Sequence, residues 1–357
     1  MPCYARLLLL IAVFTLPPGA LANTAGDPLF ADDSVLSVTL NATLSALSRD
    51  RDEEPEYRPG TFSFTDLDGT LKEVDVKVRP RGKSRRQKDV CRFPPLRLNF
   101  RKEQVADTLL DQQNVLKLVT HCRSSEQFQQ YVLKEYLAYR LFNLMSDVSF
   151  RVRLLKITYL DSERDSKPLE RYGFLIEHKK RLADRLGSTA VDMNSIGYND
   201  LVPEQASLVE LFQYIISNTD FSIIAAVKGD SCCHNSVLLE GPDETYLPVP
   251  YDFDRTGLVD PPNGEPAEEL GQRNLRDRLF RGFCRDPQYL DAAIEAADEL
   301  RPQFEALIAQ QPDLSDRMKT KATDFLARYY RTVQDPKRRE AKLKCRGPLT
   351  TSQRSGD

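Results

Sequence analysis

The sequence predicts an α+β protein in which a β-rich N-terminal lobe packs directly on an α-rich C-terminal lobe. Three observations carry this. Apolar residues alternate with polar ones in short runs up to about residue 177, they recur at helical spacing from about residue 180, and no repeat or low-complexity linker separates the two regions. The lobes are set at 34–180 and 181–335, crossing near 177–182.

Leu36, Val38 and Leu40 begin the alternation. Phe62 and Phe64 lead to a turn at Asp68-Gly69, after which Val74, Val76 and Val78, then Leu96, Leu98 and Phe100, repeat the pattern of half-buried antiparallel strands. Residues 114–120 form a short strand carrying Lys117. Ser124 and Gln127 form a capping-box pair opening a helix to about Met145, its buried face marked by Phe128, Val132, Tyr136 and Tyr139. Strands at 150–160 and 172–177 follow. Leu208, Leu211, Phe212, Ile215 and Ile216 define a buried helix, and 287–335 reads as two or three amphipathic helices. Residues 23–33 read as a disordered lead, and 336–357 as a basic, flexible tail.

The chain of 357 residues is 41% hydrophobic and 29% charged, enough apolar content for a core. With 50 Lys and Arg against 53 Asp and Glu, it has no global charge that would draw nucleic acid, so no nucleic-acid partner is expected. Arg6, the apolar run Leu7–Leu16, Pro17-Pro18-Gly19 and Ala20-Leu21-Ala22 read as a secretory signal peptide over 1–22, cleaved near Ala22. No segment reaches the roughly 20 apolar residues of a membrane span. A periplasmic or secreted protein is expected.

After removal of Cys3, six cysteines remain, an even number that favours disulfides in an exported chain. The preferred first bridge is Cys91–Cys122, leaving Cys284 and Cys345 to pair with the Cys232-Cys233 doublet. Zinc held by Cys232, Cys233 and His234 is the alternative, without a second ligand pair at finger-like spacing.

The densest set of reactive side chains lies at 218–255. Val237–Leu239, a turn at Gly241-Pro242-Asp243 and Tyr246–Val249 form a hairpin, so Asn235 and Asp252 come to the same open end. An amide and a carboxylate at one point suit magnesium, a hard cation taking oxygen ligands and keeping waters or phosphate oxygens. Asp220, on the loop after a buried helix, stands beside them. The order base, metal ligand, hairpin, metal ligand is that of phosphotransfer machinery in protein kinases; the alternative is that Asp220 caps its loop and Asp252 and Asp254 pair with surface cations. Arg79-Pro80-Arg81-Gly82-Lys83-Ser84-Arg85-Arg86 is a basic turn after a strand, competent to hold phosphate, although such a turn read alone is more often a solvated surface. Glu135 lies on the buried face of its helix and needs a partner. Lys117 would make with it the ion pair that grips nucleotide phosphates in protein kinases, with Glu126 and Glu177 as competing partners for the lysine; the alternative is that Lys117 faces solvent and Glu135 meets a nearby arginine.

Arg79-x-Arg81-Gly82-x-Ser84, the strand ending in Glu177, and Asn218-x-Asp220, Asn235 and Asp252-x-Asp254 together resemble the spore-coat protein H (CotH) kinase family over roughly 34–335. The resemblance implies a two-lobed protein-kinase-like fold and an exported atypical kinase moving the γ-phosphoryl group of ATP to Ser or Thr hydroxyls of a protein, with Mg2+ or Mn2+. It implies Arg79, Arg81 and Ser84 near the nucleotide phosphates, Glu177 at the lobe junction, Asp220 as base, and Asn235 and Asp252 as metal ligands; apart from the resemblance, Asp254 is the next carboxylate on the same site to which the base role would pass. The family's Lys-Lys pair is replaced here by Phe93-Pro94-Pro95-Leu96-Arg97, and Phe253 stands inside the acidic motif. A catalytically silent binding or cell-envelope assembly module, and a metal-dependent phosphohydrolase or nucleotidyl transferase, are the competing functions.

Overall fold

The computed structural model describes residues 27–226 and 230–346. The leader at 1–22 with its cleavage site, residues 23–26 of the lead and 347–357 of the tail lie outside the described residues. Residues 27–33 are built into the protein rather than disordered: a single turn at Pro28–Phe30 buries Leu29 and Phe30, and Asp27 accepts from Gln113 Nε2 at 2.9 Å.

Seven strands close into a barrel: β1 (Leu36–Ala42), β2 (Arg58–Thr65), β3 (Leu71–Pro80), β4 (Leu96–Phe100), β5 (Val115–Val119), β6 (Val152–Asp161) and β7 (Leu169–Ile176), in the order β1-β2-β3-β4-β5-β7-β6. Leu40, Phe62, Phe64, Val78, Leu98 and Leu118 fill its interior, as the alternating pattern requires.

The two-lobed kinase-like fold is overturned, although the α+β class stands. Closure is the cause: β1 lies parallel to β6, pairing Leu36 with Leu155 through to Ala42 with Asp161, so the strands form a closed mixed barrel and not the β-rich lobe of a kinase. Alternation reports which face of a strand is buried and says nothing about which strand it pairs with.

Between β5 and β6 runs α3 (Glu126–Met145), preceded by the short α1 (Leu44–Arg49) and α2 (Lys102–Val105). The cap of α3 is Ser125 and not Ser124, and its side chain makes no capping bond, so the capping box expected from Ser124 and Gln127 does not form. Tyr136 and Tyr139 of α3 pack on Phe174 of β7. Both faces of β7 are thereby covered, Leu175 inward and Phe174 outward.

Beyond the barrel come α4 (Lys179–Arg185), β8 (Ala190–Val191), α5 (Pro203–Ile216), the hairpin β9 (Ser236–Glu240) and β10 (Tyr246–Pro250), then α6 (Pro287–Glu299), α7 (Arg301–Gln310), α8 (Asp316–Val333) and α9 (Pro336–Lys342). Strands β10, β9 and β8 make a second sheet. One apolar cluster runs from α3 through α5 and this sheet to α8. The part of the tail at 336–342 is helical, opened by the Asp335 carboxylate, which accepts from Lys337 N and Arg338 N.

Candidate functional site

The basic turn is anchored where β3 ends. Arg81 N donates to Pro95 O at 2.8 Å, Gly82 takes a left-handed φ of 87°, and Ser84–Arg86 form one tight turn. On the outer face of the barrel Arg79 lies opposite Arg97 of β4, and Arg97 opposite Lys117 of β5. Like charges placed directly across strands are unfavourable. Arg79 escapes by turning aside, its Nη1 donating to Pro55 O at 3.3 Å and its guanidinium lying 4.7 Å from the Tyr57 ring centre. It is not gathered into the site.

Arg97 and Lys117 stay. Lys117 Nζ sits 4.6 Å from the ring centre of Tyr251, and burial, followed by the charge of Arg81, pushes its ammonium down to about 7. Arg81 Nε is buried without a hydrogen-bond partner among the described residues, and desolvation lowers its guanidinium below the ordinary value.

Glu135 finds an arginine and not Lys117. Arg85 Nη2 lies 3.2 Å from Glu135 Oε2, while its Nε lies 2.5 Å from Asp254 Oδ2. Burial first, opposed by Arg85, pushes Glu135 up to about 8 and Asp254 up to about 6, and two carboxylates around one cation hold the Arg85 charge firmly. Ser84, Arg85, Glu135 and Asp254 line one cavity of about 340 Å³. Glu177 is committed elsewhere: Arg185 grips it with Nε and Nη2, each at 3.0 Å, and Arg151 N donates to it at 3.1 Å.

The acidic segment assembles at one rim. Helix α5 ends on Ser217 in the left-handed region, and Asn218 Oδ1 accepts from Asp220 N at 2.9 Å. Asp220 Oδ1 lies 2.7 Å from His234 Nε2, and Asn235 Nδ2 donates to Asp220 O at 2.7 Å and to its Oδ2 at 3.3 Å. The hydrogen bond with His234 lowers the Asp220 carboxyl and raises the His234 imidazole. Ser236 pairs with Pro250 and Tyr251 N donates to Asn235 O at 3.0 Å, so Asn235 and Asp252 do share the open end of the hairpin. Asp252 N donates to Tyr139 Oη at 2.9 Å; among the described residues its carboxylate makes no hydrogen bond or ion pair.

A second cavity, of about 430 Å³, opens beside this rim and is lined by Arg97, Lys117, His178, Lys179, Tyr251 and the cysteine doublet. The bridges are Cys91–Cys122 as expected, Cys284–Cys345, and Cys232–Cys233 within the doublet itself. The expectation that Cys284 and Cys345 pair with the doublet is therefore corrected: the doublet satisfies itself and the 284 and 345 positions meet each other. Disulfide sulfurs are not thiolates, which removes the zinc alternative.

No group of three or more His, Cys, Asp and Glu among the described residues is arranged to hold a metal ion. Magnesium asks less of a protein, one or two carboxylates with waters and phosphates completing the shell. The free Asp252 carboxylate and Asn235 Oδ1, whose amide nitrogen is turned to Asp220, fit that demand.

Sequence reasoning missed Arg85 and Arg97. Arg85 carries no signal that separates it from its basic neighbours, but Arg97 stands between the inward Leu96 and Leu98, which assigns it to the outer face with Lys117.

No protein-family model matches the chain, and no curated protein matches it. Three disulfides suit an oxidising, extracellular environment, and no helix among the described residues is long and apolar enough to cross a membrane.

Proposed function

We propose that the chain is an exported phosphotransferase that moves the γ-phosphoryl group of ATP to a Ser or Thr hydroxyl of a protein, with Mg2+ or Mn2+. The reading keeps the activity that the CotH resemblance implies and drops the two-lobed fold. One observation supports it above the others: among the described residues Arg81 and Lys117 have no carboxylate in ion-pair range, and the opposing charge that acts most on both is Asp252, whose carboxylate makes no ion pair of its own. Groups of both signs left free together match a ligand that is itself a phosphate chain with a metal.

In this reading Lys117, Arg81 and Arg97 hold phosphate oxygens, and Lys117 gains a proton as the anion enters because a nearby negative charge favours its ammonium. Asp252 and Asn235 Oδ1 would hold the divalent ion, which neutralises phosphate charge when bound. Asp220, kept ionised by its bond to His234, accepts the proton of the acceptor hydroxyl. Arg85 positions Asp254 and Glu135 behind them.

Incubation with γ-labelled and α-labelled ATP, magnesium or manganese, and a Ser/Thr-rich acceptor tests this. Transfer of the γ label alone is expected. Transfer of the α label would make the protein a nucleotidyl transferase, and release of free phosphate a phosphohydrolase. A second reading, a silent binding module, is favoured by the double engagement of Arg85, which takes both Asp254 and Glu135 out of metal binding; ATP binding without turnover would select it.

A further inference from the structure

Disulfides stabilise a chain chiefly by closing loops in the unfolded state. Cys91–Cys122 and Cys284–Cys345, separated by 31 and 61 residues, do so. Cys232–Cys233, one residue apart, closes no loop. Its place, by contrast, is specific: both cysteines are nearly buried, at 5% and 6% exposure, and both line the 430 Å³ cavity beside Lys117 and Arg97. Of the acids that line it, Asp192 pairs with Lys179 and Glu177 with Arg185, so among the described residues the lining charge left without an ion pair is that of Arg97 and Lys117; Asp252, also without an ion pair, lies outside the lining.

The doublet is also wired to the acidic rim. Cys232 N donates to Met193 O at 2.6 Å, Cys233 N to Ser236 O at 3.3 Å, and His234 N to Ala225 O at 3.1 Å. The next two side chains, His234 and Asn235, are the ones that clamp Asp220.

We propose that Cys232–Cys233 is a thiol–disulfide exchange site reached through this cavity by small anionic thiols, and that its reduction releases the segment that clamps Asp220. A thiolate attacks one cysteine sulfur, forming a mixed disulfide and expelling the other as a thiolate. A second thiolate then takes the first, leaving two cysteine thiolates that take protons from water, and the attacking thiols leave as their own disulfide. The consequence for phosphotransfer rests on the function proposed above; the exchange and the release do not.

The test follows the peptide bearing both cysteines by alkylation and mass spectrometry, using 2-mercaptoethanesulfonate, 2-mercaptoethanol and cysteamine, each rate divided by that thiol's rate with hydroxyethyl disulfide. The anionic thiol is expected to be favoured over the cationic one by about tenfold at low ionic strength, the ratio shrinking at about 0.5 M salt. Amides 230–236 are expected to exchange with deuterium about tenfold faster after reduction, and equally fast in Cys232→Ser/Cys233→Ser. Equal normalised rates for the three thiols, or unchanged deuterium exchange in the reduced protein, would overturn the proposal. ATP binding, measured in both redox states, is expected to weaken on reduction. If neither state binds ATP, the phosphotransfer reading fails while the exchange results still decide this one.

Discussion

Replacing Arg85 by leucine tests the architecture beneath the site. In the folded protein its guanidinium is only 16% exposed and serves Glu135, 4% exposed, and Asp254, 21% exposed. Removing it strands two carboxylates in a poorly solvated place, and breaking a buried pair in this way costs about 3–5 kcal/mol. The cost depends on pH. Both carboxyls already titrate high, at about 8 and about 6, and lose an opposing cation in the variant, so their folded values rise further above the unfolded 4.5 and 3.8. Groups raised on folding contribute stability below the unfolded value, and it is lost as pH climbs through the folded one. The deficit of Arg85→Leu, read from urea unfolding, should therefore be larger at about pH 9, above both wild-type values, and fall at about pH 5 toward the roughly 1–3 kcal/mol of the lost hydrogen bonds. Adding Glu135→Leu should recover part of the loss at the higher pH. A deficit that is the same at both pH values, or under about 1 kcal/mol at each, would refute the argument that Arg85 neutralises buried charge.

Asp252→Ala should abolish metal-dependent ATP binding in calorimetry while keeping its melting temperature in metal-free buffer, since its carboxylate has no partner among the described residues. Lys117 is depressed to about 7 from 10.5, so the unfolded chain binds more protons between those values and stability should rise with pH across that window; Lys117→Met should flatten the rise in thermal melts and weaken ATP binding. Asp220→Asn should leave ATP affinity nearly intact and lower the transfer rate by roughly 10²–10⁴-fold, the contribution of a general base; undiminished transfer would assign the proton to another group. Alkylation of the denatured, unreduced protein should label none of the six cysteines of the disulfides, and a peptide map should return Cys284 linked to Cys345.

The parts of this structure that were legible in the sequence are those set by neighbours along the chain. The hairpin carrying Asn235 and Asp252 follows from two apolar runs and a Gly-Pro-Asp turn, and α5 from its apolar spacing. Barrel closure was not legible, because the parallel contact of β1 with β6 joins residues more than a hundred positions apart and leaves no mark on either strand's alternation. The partner of Glu135 was equally hidden: several nearby arginines satisfy a buried carboxylate on paper, and only the tight turn at Ser84–Arg86 selects Arg85. The cysteine doublet misled because adjacent cysteines are read most readily as two separate ends of longer bridges.

The row Arg79, Arg97, Lys117 carries the argument about ligands further than the acidic motif does. Three like charges in cross-strand register oppose the sheet that bears them. The first relieves the conflict through Tyr57 and Pro55; the second keeps a buried Nε without a hydrogen-bond partner among the described residues; the third gives up part of its affinity for a proton, chiefly through burial and the charge of Arg81, with Arg97 adding less. An anion between Arg97 and Lys117 would remove the remaining conflict at once, restoring the Lys117 ammonium and giving Arg97 an acceptor. The phosphate site proposed above would thus draw on the barrel's own strand register, independently of whether Asp252 and Asn235 hold a metal or Asp220 takes a proton. Inorganic triphosphate should for that reason bind without added metal, and raise the Lys117 titration point toward its ordinary value.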